Sequence, residues 1–142
     1  MTDSNSPTPE SLCERGLDLL ASGLPAEAAE AFREAIAFSQ NPAGLGLVEA
    51  HHGLIRALRD AGQLNQSVAA AMALAALTPD DPLAHTALSI SLQAAGMVPQ
   101  AEAAAARARV AEWKIQLRSP SAPDTFSADP FRAGPPFRDP KP

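Results

Sequence analysis

The chain has 142 residues, enough for one domain, and 46% of them are apolar, which suffices for a core if they recur at regular spacing. Sixteen acids against 11 bases give a net charge of −5 with no long run of either sign, which excludes a basic strip along a phosphate backbone and so a nucleic-acid partner. Alanine and leucine dominate, tyrosine is absent and β-branched residues are few, a mixture that predicts an all-α fold.

Residues 1–8 form a polar, disordered N-terminus; Met1 to Glu10 has neither the basic patch nor the apolar core of a signal peptide or anchor. Pro9 after Thr8 opens a first helix to Ser22, and Pro25 after Leu24 opens a second to Ser39. Proline's missing N–H costs nothing in a first helical turn. A connection at Ala43–Leu47 leads into a helix from Leu47 to Ala61, followed by one from Asn65 to Leu77. Asp81 caps a fifth helix, Pro82 to Ala95, and the sixth runs from Pro99 to Arg118. No stretch approaches about 18 uninterrupted apolar residues, so none of these helices inserts in a membrane.

Gly23, Gly62 and Gly96 stand between the members of each pair, 39 and 34 residues apart. Each is placed to end one helix in the left-handed conformation and turn into the next. The chain then reads as three helical hairpins, Pro9 to Pro42, Val48 to Asp81 and Pro82 to Ile115. Large and small residues recur at set places in each: Leu12, Gly16, Leu19, Ala28, Phe32 and Ala35 in the first, Leu54, Leu58, Leu64 and Pro79 in the second, and Leu88, Leu92, Ala101 and Ala108 in the third. On these residues and the 34-residue period the segment Pro9 to Ile115 resembles the tetratricopeptide repeat family, in the manner of its small bacterial members. Arg15 stands where the family has leucine, Ile55 and Ser89 replace its glycine, Ser67 its alanine, and Ala71 and Ala105 its aromatic residue. Alanine at the aromatic position predicts close helix approach with thin packing. The resemblance implies three hairpins in a short right-handed solenoid over residues 9–118, with a groove lined by the first helix of each.

Projected onto this chain, that groove holds Glu10, Cys13, Leu17 and Leu20, then Glu49, His52, Arg56 and Arg59, then Leu83, Thr86, Ile90 and Gln93. His52, Arg56 and Arg59 lie at i, i+4 and i+7 and so share one helical face, either a solvated basic face or a set of donors for an acidic peptide segment. Family members that clamp a terminal carboxylate use lysine and asparagine at places held here by Cys13, Leu17, Gly53 and Leu83, which argues against that ligand. His51, His52 and His85 have no carboxylate or cysteine at ligand spacing, so no metal is expected; His51 and His85 occupy equivalent places where the family packs a large side chain. No phosphate loop, nucleophile elbow or reactive-cysteine signature is present, and neither an enzymatic activity nor a cofactor is expected. Cys13, the single cysteine, reads as a small packed residue in a protein of the reducing cytoplasm.

In the last helix Val110, Trp113 and Leu117 fall at i, i+3 and i+7. They either pack back on the third hairpin or anchor a homodimer or partner contact. Residues 119–142 hold seven of the 14 prolines and three of the five phenylalanines, and are expected to form a disordered tail. Within it Phe131-Arg132 and Phe137-Arg138, each after a proline, repeat a short motif suited to binding a partner. The function this composition suggests is a protein-binding adaptor or scaffold subunit, using groove, tail or both. The alternatives are a secretion or assembly chaperone that shields an apolar segment and a permanent accessory subunit of a larger complex.

Overall fold

The computed structural model describes residues 7–39 and 45–118. Within them six helices run in order: α1 (Pro9–Ala21), α2 (Pro25–Phe38), α3 (Leu45–Asp60), α4 (Leu64–Leu77), α5 (Pro82–Ala94) and α6 (Val98–Arg118), with no strand among the described residues. They form three antiparallel hairpins, α1–α2, α3–α4 and α5–α6. Successive helices pack on each other, and α1 also packs on α3 and α3 on α5. The first helices therefore lie side by side as one layer, as a tetratricopeptide-like stack requires. The proposed tail, with Phe131, Arg132, Phe137 and Arg138, lies outside the described residues, as do residues 40–44.

Local chemistry sets the helix ends. Thr8 and Ser11 form a reciprocal cap at α1, each side chain accepting from the other's backbone N–H, at 3.0 Å. At α5 the Asp81 carboxylate accepts from the Leu83 N–H at 2.9 Å. Gly23, Gly62 and Gly96 have φ of 79°, 80° and 81°, conformations that other L-residues adopt only at a cost. At each of the three turns the same bond closes the helix: the residue after the glycine donates to a carbonyl five positions back, Leu24 to Leu19, Gln63 to Leu58 and Met97 to Leu92, all at 2.9 Å. Helix α3 begins at Leu45, two residues earlier than the sequence suggests, inside the expected connection; Leu47 is buried in its first turn.

The core consists of two successive clusters that differ in character along the stack. Between the first hairpin and α3, Phe32 is fully buried with Leu12, Ala28, Ala35, Leu54 and Leu58 around it. Its ring lies flat against two glycines: a Cβ on Gly16 would come within 2.6 Å of it, and one on Gly53 within 2.4 Å. Those distances are too short for real atoms, so both helices approach the ring only because these positions lack side chains.

In the second hairpin the sizes exchange, with Ile55 at the place of Gly16 and Ala71 at the place of Phe32. Both are buried in one cluster with Val68, Leu74, Leu88 and Leu92. Ser67, fully buried, donates to the Ile55 carbonyl at 3.1 Å and shares a hydrogen bond of 2.8 Å with the buried Ser91, tying α3, α4 and α5 together. Ser89 likewise donates to the Ala101 carbonyl at 2.8 Å and links α5 to α6. Each such bond contributes about 0.5–1.5 kcal/mol net, and a hydroxyl left unpaired there would cost more than that.

His51 and His85, which correspond to Leu12, are both buried. His85 Nε2 bonds the Pro79 carbonyl at 2.7 Å, and the Nδ1 atoms of both rings are buried without a hydrogen-bond partner. Burial, reinforced by the neighbouring His52, holds the His51 ring below its ordinary value of 6.5.

Two predictions follow from this core. Phe32→Ala should lower stability by about 3–5 kcal/mol in urea melts. Gly53→Ala should cost about 1–3 kcal/mol, and much less when Phe32 is already leucine, because the added methyl then meets no ring. Fully additive losses would mean that ring and glycine do not touch. For His51, the folded chain resists the proton that the unfolded chain accepts, so its contribution to stability is intact above about pH 6.5 and falls as pH drops below it. His51→Leu, which copies Leu12, should reduce the loss of urea midpoint between about pH 7.5 and 5.5; an unchanged slope would remove His51 from the acid response.

Candidate partner-binding surface

The layer formed by α1, α3 and α5 displays the groove residues in rows, because equivalent positions of the hairpins fall beside one another. One row is Leu17, Arg56 and Ile90. Leu17 is 56% and Ile90 45% exposed, and between them the exposed Arg56 guanidinium lies 3.6 Å from the Asp60 carboxylate, one turn further along α3. An exposed i,i+4 pair of this kind contributes little to stability, so Arg56 can exchange Asp60 for another carboxylate at small cost.

A second row, about two helical turns toward the helix N-termini, is Glu10, Glu49 and Leu83. The two acids are exposed and Leu83 is 65% exposed. Cys13, His52 and Thr86 form the row between. Cys13 is half-buried against the first core cluster, and its thiol is pushed above the usual value of 9.0 by burial and by the nearby Glu49 and Glu10 carboxylates. This shift disfavours the thiolate, the nucleophilic form. His52 is half-buried with its Nε2 buried and without a hydrogen-bond partner, whereas Thr86 is exposed. The last row is Leu20 and Arg59, both half-buried, and Gln93, exposed.

The face is therefore acidic toward the starts of α1 and α3, basic toward the end of α3, and apolar at both ends of the Leu17–Arg56–Ile90 row. The expected trio of His52, Arg56 and Arg59 does lie along one side of α3, but of the three only Arg56 is exposed. Gly53, at a place where carboxylate-clamping family members carry a polar side chain, is the seat of the Phe32 ring. The sequence alone carried no signal for this, since the contact joins residues 21 positions apart on different hairpins.

Trp113 stands away from this layer, on α6. It is 63% exposed and Leu117 74%, so the apolar stripe is not folded back on the third hairpin, one of the two arrangements the sequence allowed. The buried side of α6 is made by Ala101, Ala104, Ala108 and Ala111, leaving the stripe on the other side. Among the described residues no three His, Cys, Asp or Glu side chains converge as a metal site would require, and no helix is long and apolar enough to cross a membrane.

No protein-family model matches the chain, and no curated protein matches it. Among solved structures it is similar to one titled MamA MSR-1 C2, with a TM-score of 0.45 and 14% identity over 80% of this chain and 82% of that one. Overlap at that level assigns no role to any residue here.

The protonated state of Cys13 has a direct test. Its reaction with a maleimide or disulfide reagent near neutral pH should be slower in the folded chain than in urea. Equal rates would show an accessible thiolate and reopen a chemical role for this sulfur.

Proposed function

We propose that this chain is a non-catalytic protein-binding adaptor of the cytoplasm that holds an extended segment of a partner across the layer formed by α1, α3 and α5. The observation that carries this reading is the exposed row Leu17–Arg56–Ile90. Single exposed leucines are ordinary, but an apolar, a cationic and an apolar side chain at the same position of three adjacent helices make a continuous track.

Neighbouring helices lie about 8–10 Å apart and an extended chain advances about 3.3 Å per residue, so one hairpin matches roughly three partner residues. The partner segment is then one with apolar side chains flanking an acid at about that spacing. His52, Arg59, Thr86 and Gln93 offer polar contacts along it, and Leu83 a further apolar one. The Phe131-Arg132 and Phe137-Arg138 motifs of the tail are assigned an auxiliary contact to the same partner.

The exposed Leu17, Leu83 and Ile90 also favour a second reading, in which the same layer shields an apolar segment before it is handed on, as an assembly chaperone would. Stoichiometry separates the two. An adaptor or a permanent subunit retains one partner in constant ratio, and a chaperone several at low occupancy.

Native recovery of the tagged full chain, followed by mass spectrometry and quantitative binding, tests this function. Leu17→Asp with Ile90→Asp should weaken the recovered complex by at least about tenfold. Arg56→Ala with Arg59→Ala should weaken it less, with an effect that fades as salt rises. Full binding by both double variants, with helix content unchanged, would move the partner off this layer.

A further inference from the structure

Helix α6 is half as long again as its counterparts: α2 and α4 each have 14 residues and α6 has 21. Ala111 of α6 corresponds to the last residue of α2, Phe38, and of α4, Leu77, so the final two turns, Glu112 to Arg118, exceed what the hairpin needs. Those turns carry two strongly exposed apolar side chains, Trp113 and Leu117.

At about 100° per residue, Ala106, Val110, Trp113 and Leu117 fall within about 60° of one another, and the buried alanines of α6 lie on the opposite side. The spacing of four, three and four residues is that of a helix-pairing seam. Basic residues border this seam on both sides, Arg107 and Lys114 on one and Arg109 on the other. All three are exposed and none is ion-paired with a described residue. The nearest acid of these turns, Glu112, lies about 130° from the centre of the seam. Beside the Arg107–Lys114 border, Val110 also lines a shallow cavity of about 260 Å³ walled by Pro79, Asp80 and His85, where the single acid faces two bases.

We propose that the outer face of α6 from Ala106 to Leu117 docks an amphipathic helix of another protein whose apolar stripe is bordered by Asp and Glu. Two arguments select this occupant. The seam geometry accepts a helix, and residues bordering such a seam set partner choice through their charge. A second copy of α6 would bring Arg107, Arg109 and Lys114 against the same bases, with Glu112 beside Arg109 as the one acid of these turns, and such like-charge contacts are disfavoured. This surface is separate from the layer of α1, α3 and α5, so its failure would leave that reading standing.

The chain has one tryptophan and no tyrosine, so the emission of the full-length protein reports on Trp113 directly. The probes are two synthetic amphipathic helices of about three heptads with leucine at the seam positions, one bordered by glutamate and one by lysine. The glutamate peptide should shift the Trp113 emission to the blue and bind at least about tenfold more tightly than the lysine peptide at low salt. In the variant Arg107→Glu, Arg109→Glu, Lys114→Glu the preference should reverse. Equal affinities, or no shift with either peptide, would overturn the proposal. So would a rise to twice the monomer mass in sedimentation accompanied by a concentration-dependent blue shift, which would seat a second copy on the seam. A red shift of the free protein on replacing Phe126, Phe131 and Phe137 by alanine would also overturn it, because the tail would then be the occupant.

Discussion

The approach of α1 and α3 to the two faces of the Phe32 ring is the contact on which the stack depends. A phenyl ring brings a large apolar area to the centre of the first junction, but it fits only if the facing helices offer no side chain at the point of contact. Gly16 and Gly53 meet that requirement from different hairpins. One residue of α2 thereby sets the distance from α2 to α1 and from α2 to α3 together. Glycine costs a helix about 1 kcal/mol relative to alanine, and here the cost is offset by a ring packed in full contact.

Further along the stack the same problem has a different solution. With Ile55 in the place of the glycine and Ala71 in the place of the ring, the bulk moves from the second helix to the first and the helices still close. The side-chain volume that remains is small, and hydrogen bonds between Ser67, Ser91 and the Ile55 carbonyl supply direction that aliphatic packing lacks. A buried hydroxyl pair tolerates little sliding, since displacement leaves both groups unsatisfied. The first junction is held by shape and the second by shape together with polar registry.

This division positions the surfaces that remain free. Because α3 is gripped on one side by Phe32 and on the other by the serine bonds, its remaining face, with Arg56 at the centre, is presented between Leu17 and Ile90. The core side of α6 is made of alanine, which lets α6 lie close on α5 and puts its larger apolar residues outside. Stability and interaction thus draw on opposite sides of the same helices.

The sequence by itself determined where helices start, stop and turn. Pro9, Pro25 and Pro82, the caps Thr8 and Asp81, and the glycines at 23, 62 and 96 act on backbone within a turn of themselves, so their effect is readable without knowing what lies nearby. The pairing of helices into three hairpins followed from the same punctuation and its period. The groove positions were legible as a face, but their exposure was not: His52 and Arg59 are half-buried and Arg56 is exposed. Only the tertiary structure decided that Gly53 receives the Phe32 ring, that Ser67 finds Ser91, and that the Trp113 stripe faces outward. Each of these is a contact, or the lack of one, between helices far apart in the chain, and spacing along a single helix cannot say which of its sides a neighbour will cover.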